Sequence, residues 1–208
     1  MPEITQLNVF FVAAVVLALT PGPGIFYVLA RSIKGGRREG VLSTAGTTVG
    51  GLFHVMAAAL GVSAILTTSA VAFGVVKYAG AAYLIYLGLR TLLHQPATPK
   101  AMADPIIVRK TGAFKEGVVT EALNPKTALF FLAFIPQFIN PAGFVFAQFL
   151  LLGCISVLLN SSADIAVAFI AGPLGYKMMR NKKLQQGQRY GSGLSFVALG
   201  TYVAITDN

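Results

Sequence analysis

Residues 7–30 read LNVFFVAAVVLALTPGPGIFYVLA, an apolar run without a charged residue that contains prolines at positions 21 and 23. A helix that spans a bilayer needs about 20 apolar residues, so this run is long enough to cross a membrane. A proline within a helix removes one hydrogen bond and leaves a carbonyl free, which lipid cannot satisfy. The stretch therefore predicts a transmembrane helix that is broken at membrane depth.

Composition extends this interpretation to the whole chain. Of the 208 residues, 55% are hydrophobic and only 11% are charged, whereas ordinary soluble domains contain about 25% charged residues. The solvent of such a chain is lipid, and little sequence is left for a soluble catalytic domain. We therefore predict one transmembrane domain, residues 1–208, in an all-α membrane protein.

Six apolar segments are long enough to span the bilayer. They are residues 7–30, 41–66, 71–93, 114–139, 144–171 and 190–206. The first is expected to be retained rather than cleaved as a signal peptide, because no basic residue precedes it and residues 20–23, TPGP, are not a small-x-small cleavage site. We therefore expect about six transmembrane helices.

The basic residues alternate sharply between the connections. The stretches after the first, third and fifth segments contain 14 of the 16 Lys and Arg residues, whereas both termini and the other two connections contain none. Because basic loops resist translocation, we predict that the loops 31–40, 94–113 and 173–189 are cytoplasmic and that both termini are periplasmic, with the protein in the bacterial inner membrane. The net charge of +9 is then a consequence of topology, and no nucleic-acid partner is expected.

The segments divide into two halves of three, about 1–93 and 114–208, joined by the cytoplasmic linker 94–113. An odd number of spans in each half makes the halves insert in opposite orientations, and such inverted repeats are the architecture of many secondary transporters. The first helix of each half has a proline break, at Pro21-Gly22-Pro23 and at Asn124-Pro125-Lys126. We predict that the two breaks approach each other and bind the substrate; an ordinary proline kink is the alternative for each.

Two charged residues lie well inside apolar segments, Lys126 in the fourth and Asp164 in the fifth. A charge at the centre of a bilayer costs at least about 2.5 to 3.5 kcal/mol, so each needs a partner, water or a function. We predict that they pair, either as a structural lock between two helices or as the lining of a substrate cavity. Asn160, one turn before Asp164, is expected on the same face. Asp164 is also the predicted carrier of a coupled proton, with Glu121 as the competing candidate.

His54 lies in the middle of the second segment. Histidine titrates near neutral pH, so this residue is either a proton relay or a neutral hydrogen-bond donor between helices. The single cysteine, Cys154, lies in an apolar run and excludes both an intrachain disulfide and a thiolate metal cluster. No cofactor and no metal ion are expected.

Small residues recur at helical spacing in and before the second and third segments. They are Gly36 and Gly40, Gly46 and Gly50, and Gly80-Ala81-Ala82. Such spacing lets helices approach closely, either within the chain or across a homodimer. Both arrangements are compatible with the sequence.

Several short motifs stand in a fixed order over about 130 residues of the chain. They are Pro21-Gly22-Pro23; Gly36, Arg38, Gly40, Gly46, Gly50 and His54; Gly80-Ala81-Ala82-Tyr83-Leu84 with Leu87-Gly88; and Phe114, Gly117, Asn124-Pro125-Lys126 and Pro136-Gln137-Phe138. In this order and spacing the chain resembles the LysE/RhtB family of bacterial amino-acid exporters. The resemblance implies a six-helix exporter that the proton motive force drives and that expels amino acids or similar metabolites.

Two positions depart from the family pattern. Three residues before Asn124, where many members have Asn, this chain has Glu121, which adds an acidic group near the break. In the fifth segment the family often has an aspartate shortly after a Leu-Gly pair, here residues 152–153, and its equivalent is either Asn160 or Asp164. The identity of the proton carrier is therefore open between these acidic candidates.

Two other functions are compatible with such a composition. An intramembrane enzyme would need a nucleophile with a base, paired aspartates or a metal cluster, and the sequence offers at most a Ser–Lys dyad between Lys126 and Ser161 or Ser162. A passive pore or a structural membrane subunit would need no coupling ion. A secondary exporter of amino acids or related small molecules is the function that we predict, without an indication of which amino acid is carried.

Overall fold

The computed structural model describes residues 4–20, 22–93, 112–140, 142–170 and 182–205. These residues form helices joined by short turns and contain no β-strand, which confirms the predicted all-α class for this part of the chain. The helices are α1 (Ile4–Leu19), α2 (Pro23–Thr68), α3 (Ala70–Leu93), α4 (Ala113–Ala122), α5 (Pro125–Leu129), α6 (Val145–Ile170) and α7 (Lys182–Ile205). A π-helical turn, Phe130–Phe134, and a 3₁₀ turn, Ile135–Phe138, continue α5.

Three helices, α2, α3 and α6, are long and apolar enough to cross a membrane. The pair formed by α4 and the continued α5 is a fourth candidate, bent by 44° at the break between them. α1 adds a shorter apolar helix, and α7 has basic residues ahead of its apolar half. The chain is therefore a multi-pass membrane protein. Large apolar side chains such as Phe53 and Leu60 point outward, as contact with lipid requires.

α2 folds back on itself at Gly36, where the backbone angles are non-helical (φ 74°, ψ −173°). A positive φ suits glycine, which has no β-carbon to clash. A β-carbon on Gly40 would contact the Ser32 hydroxyl, although eight residues of straight helix would separate the two by about 12 Å. The loop expected at 31–40 is instead a single-residue turn between two helical arms, residues 23–35 (the first arm) and 37–68 (the second arm).

The helix pair α4 and α5 is interrupted at Leu123 and Asn124. Pro125 has no N–H and disfavours helical angles in the preceding residue, so Asn124 takes extended angles (φ −75°, ψ 108°) and begins a new helix as its N-cap. The Asn124 side-chain oxygen accepts a hydrogen bond from the Lys126 N–H at 3.1 Å. Further along, Pro136 removes another donor, and the chain passes through the π and 3₁₀ turns instead of a regular helix.

Glycines make the closest helix contacts within the chain. A β-carbon on Gly46 would strike the Phe114 carbonyl oxygen, so the second arm packs directly on the α4 backbone. A β-carbon on Gly88 would lie 2.7 Å from the Gly193 carbonyl oxygen, which joins α3 to α7. The small-residue spacing therefore serves packing inside one chain, and the homodimer stays a prediction.

The hydrophobic core collects around the π and 3₁₀ turns. The ring centroid of Phe138 lies 5.5 Å from that of Phe10 on α1 and 6.2 Å from that of Tyr202 on α7. The Phe134 ring follows at 4.9 Å from Phe138. Aromatic packing thereby fixes α1 and α7 to the continuation of α5 and supports the neighbouring helix breaks.

Candidate functional site

The first predicted break separates α1 from α2. α1 ends at Leu19, and α2 begins at Pro23 with Gly22 as its N-cap in an extended conformation (φ −141°, ψ −177°). Pro21 lies outside the described residues, and its role stays a prediction. Because the last carbonyls of a helix have no partner within that helix, the end of α1 needs hydrogen-bond donors from elsewhere.

Lys126 supplies such donors from the second break. Its ammonium nitrogen donates to the carbonyl oxygens of Leu17 at 3.1 Å and Thr20 at 2.9 Å. The residue is buried. A cation is favoured at the C-terminus of a helix, where the macrodipole places partial negative charge. The two breaks therefore meet, as predicted, and Lys126 caps the end of α1.

Glu121 lies against the other side of the first break. Its carboxylate accepts hydrogen bonds from the Asn124 side-chain nitrogen at 3.0 Å and from the Thr127 hydroxyl at 2.6 Å, and the residue is buried. A β-carbon on Gly24, in the first turn of α2, would fall on a Glu121 carboxylate oxygen. Because an anion is favoured at a helix N-terminus, Glu121 complements the start of α2 as Lys126 complements the end of α1.

Glycine allows both charged side chains to approach the first break. A β-carbon on Gly22 would lie 3.1 Å from Lys126 Cε, and one on Gly24 would collide with Glu121. Pro23, between the two glycines, occupies the first position of α2, where its missing N–H costs nothing. The Gly22-Pro23-Gly24 sequence thus starts a helix and leaves room for two charged side chains from the other break.

His54 reaches the second break from the second arm of α2. Its Nε2 lies 2.9 Å from the Glu121 carbonyl oxygen. Since a carbonyl oxygen only accepts, the imidazole donates from Nε2, and its ring stacks on Phe131 with centroids 6.1 Å apart. This geometry supports the predicted hydrogen-bond donor between helices, whereas the proton relay stays a prediction.

The predicted ion pair between Lys126 and Asp164 is wrong: no such pair forms within 4.0 Å among the described residues. Asp164 instead accepts a hydrogen bond from the Thr47 hydroxyl on the second arm at 2.8 Å and is 1% exposed. Lys126 instead binds main-chain carbonyls at the end of α1. Asn160, one turn before Asp164 on α6, is half-buried.

A buried arginine forms a cluster that sequence reasoning missed. The Arg31 guanidinium lies 3.2 Å from the Glu39 carboxylate and 2.5 Å from that of Glu116, and its Nε donates to the Tyr27 hydroxyl at 3.1 Å. Tyr27 in turn donates to the Ala113 carbonyl oxygen at 2.8 Å. The cluster ties the first arm to the second arm and to α4. The available signal was the presence of acidic residues beside basic ones, Glu39 next to Arg38 and Glu116 next to Lys115.

No metal site is evident in the part of the chain that the structure describes. There, no group of three or more His, Cys, Asp or Glu side chains could hold an ion. Cys154 is a free, exposed cysteine on α6. That the protein needs no metal or cofactor stays an expectation.

Comparison with known proteins gives matches over most of the chain. A protein-family model described as LysE type translocator matches residues 15–207. An uncharacterized membrane protein of Pseudomonas aeruginosa is 31% identical over 97% of this chain and 95% of its own length. Two Salmonella typhimurium relatives are the leucine efflux protein, 36% identical over 63% of this chain and 62% of its own, and the homoserine/homoserine lactone efflux protein, 30% identical over 82% and 86%. No solved structure matches the chain.

Proposed function

Because the chain belongs to the LysE type translocator family and is a transporter rather than an enzyme, we propose that it exports amino acids or related small metabolites across the bacterial inner membrane. Relatives named for the efflux of leucine and of homoserine or its lactone support this substrate class. The observation that carries the proposal is the contact between two broken helices through Lys126. Secondary transporters build their substrate sites from such discontinuous helices.

The proposed architecture is a single domain of six spans in two inverted three-helix repeats, about 1–93 and 114–208. The spans are α1 with the first arm, the second arm, α3, α4 with α5, α6, and α7. In this arrangement the second arm corresponds to α6, and α3 corresponds to α7. Helix contacts support this correspondence, because the second arm packs on α6 and α3 packs on α7. A two-fold axis between inverted halves brings such counterparts together.

The proposed topology has both termini in the periplasm and the basic connections in the cytoplasm. Two contacts support the placement of these connections on the same side of the membrane. Arg31, near the turn between the arms, binds Glu116 near the start of α4. Arg189, near the start of α7, donates to the Leu92 carbonyl oxygen at the end of α3 at 2.6 Å.

The substrate is proposed to bind where the two breaks meet. A zwitterionic amino acid suits this place, because a buried cation and a buried anion lie on either side of the first break. His54 supports the site by bonding the end of α4, and Asn160 is proposed to line the path on α6. The site then comprises Pro21, Gly22, Pro23, His54, Asn124, Pro125, Lys126 and Asn160.

Export is proposed to be driven by the proton motive force, with Asp164 as the proton carrier and Glu121 as the alternative. Both carboxylates are buried, and each accepts a hydrogen bond from a threonine hydroxyl. A hydroxyl can donate to a carboxylate and accept from a carboxylic acid. Either group can therefore gain or lose a proton without leaving a buried polar atom unsatisfied.

The proposed function is tested by loading bacterial cells with dipeptides and measuring which amino acids leave faster when the protein is overproduced. The purified protein is then reconstituted in vesicles, and efflux is measured with and without a pH gradient. A coupled exporter accumulates substrate against its own gradient only when protons can flow in the opposite direction. Flux that never exceeds equilibration would identify a passive pore instead.

A further inference from the structure

The ammonium group of Lys126 is a buried cation whose hydrogen bonds go to neutral groups, while the Glu121 and Asp164 carboxylates act on it only from beyond ion-pair distance. In the described part of the chain, its hydrogen bonds go to the carbonyl oxygens of Leu17 and Thr20, and no carboxylate lies at ion-pair distance from it. Glu121, the nearest acidic residue in the sequence, is bound to Asn124 and Thr127 instead. An ammonium donates three hydrogen bonds, so one donor of Lys126 is left for a ligand.

We propose that Lys126 is the carboxylate receptor of the transported solute and that the exporter selects molecules with a free carboxylate, α-amino acids above all. This inference rests on the proposed function and adds the chemical group that the solute must present. Lys126 keeps its bonds to the end of α1 and directs its remaining N–H to the solute. The carboxylate thereby gives Lys126 a direct ion-pair partner, which neither Glu121 nor Asp164 is among the described residues.

A carboxylate is a stronger hydrogen-bond partner for Lys126 than the Leu17 and Thr20 carbonyl oxygens that it binds now. A carboxylate adds the attraction of a full negative charge to the hydrogen bond, whereas the carbonyl oxygens that Lys126 binds now carry only partial charge. A carboxylate is therefore the ligand from which a buried Lys126 ammonium gains most. A solute that carries an ammonium but no carboxylate would bring a second positive charge to the site and would offer Lys126 no negatively charged partner.

The residue that packs beside the Lys126 ammonium is a glycine. A β-carbon on Gly22 would lie 3.3 Å from the Lys126 ammonium nitrogen, so glycine keeps this side of the group free of a side chain. Glu121 lies at Gly24, in the first turn of α2. A solute carboxylate is attracted by Lys126 and repelled by Glu121, which orients a zwitterion with its ammonium towards Glu121.

The test measures ligand binding to the purified full chain, with tritiated leucine and tritiated homoserine as probes. The free amino acid, its carboxamide and its methyl ester compete with the probe. Lys126→Gln keeps an N–H donor for the α1 carbonyls but removes the charge. Lys77→Gln is the matched control, because it removes the charge of another buried lysine, on α3. The unfolding temperature of each variant is recorded alongside.

We expect the wild type to bind the free acid at least about tenfold more tightly than the amide or the ester. Lys126→Gln should lose this preference, and Lys77→Gln should keep it. Equal affinity of the wild type for acid and amide, or a preference that survives in Lys126→Gln, overturns the inference while export stands. Even if Lys126→Gln does not fold, the relative affinities of the wild type for the free acid, the amide and the ester test the inference. If the wild type neither binds nor exports any amino acid, the proposed function fails as well.

Discussion

A β-carbon added to Gly24 would fall on a carboxylate oxygen of Glu121, so the start of α2 and the end of α4 touch where only a hydrogen fits. Gly24 lies in the first turn of a long helix, and Glu121 brings a buried negative charge to that turn. The contact therefore places an anion at the positive end of a helix, and any side chain at position 24 would have to displace that carboxylate.

Gly24→Ala is expected to destabilise the protein by about 1 to 3 kcal/mol, the usual cost of overpacking, and to abolish most export. The added methyl group forces the Glu121 carboxylate away from its two hydrogen-bond donors. Gly22→Ala should be milder, because the flexible Lys126 stem can retreat and the backbone angles of Gly22 suit any residue. Export rate and unfolding temperature in detergent are the two measurements.

Gly61→Ala is the control for these substitutions. Gly61 also lies in α2, and a β-carbon there would meet nothing within 4 Å. Alanine is the better helix former, so this variant should export at the wild-type rate and unfold at the same or a higher temperature. An equal loss of export in Gly24→Ala and Gly61→Ala would contradict a specific role of the Gly24 contact.

The positions of both breaks could be predicted from the sequence, because Pro23 and Pro125 act locally on the backbone. The hydrogen-bond partners of Lys126 could not be predicted in this way. Lys126 binds main-chain carbonyls at a helix end that is distant in the sequence, and a carbonyl has the same chemistry at every residue. Pairing charge with charge therefore led to Asp164, whose actual partner is the Thr47 hydroxyl.

The Arg31 cluster escaped prediction for a related reason. Arg31 contacts Glu39 only because the chain reverses at Gly36, and it contacts Glu116 across 85 residues of sequence. Neither distance can be read from helical periodicity, which relates residues three or four positions apart. From the sequence alone, Arg31 was therefore interpreted only as one of the basic residues of a cytoplasmic loop, although the structure buries it.

Removing both carboxylates of this cluster should cost far more than removing either one. Glu39→Gln or Glu116→Gln alone leaves Arg31 with one carboxylate, and both acids are partly exposed, so each is expected to cost about 1 kcal/mol or less. The double variant leaves a buried guanidinium without either acid and should cost about 3 to 5 kcal/mol. A double-mutant cycle on the free energy of unfolding measures the coupling. Strictly additive effects would show that the carboxylates do not share Arg31.

The topology predicts opposite accessibility for two connections. In a Cys154→Ala background, which removes the only native thiol, Ala142→Cys should react with an impermeant thiol reagent added to intact cells. Ala142 is exposed in the turn between the 3₁₀ segment and α6. Lys100→Cys, in the basic linker, should react only after the membrane is permeabilised. Labelling of position 100 from outside would refute the proposed orientation.

The last prediction concerns the coupled proton. Asp164→Asn and Glu121→Gln each keep the shape of the side chain but remove its ability to carry a proton. The variant of the true carrier should lose pH-gradient-driven accumulation in reconstituted vesicles, because protonation can then no longer bias the two states of the transport cycle. The same variant should retain gradient-free exchange of labelled for unlabelled amino acid, which needs folding and binding alone. Ser162→Ala, on α6, removes a hydroxyl that donates to the Leu158 carbonyl of the same helix; this variant is the control and should keep both activities. If Asp164→Asn concentrates substrate as well as the wild type while Glu121→Gln does not, the carrier is Glu121. Asp164 then serves to join α6 to the second arm through Thr47.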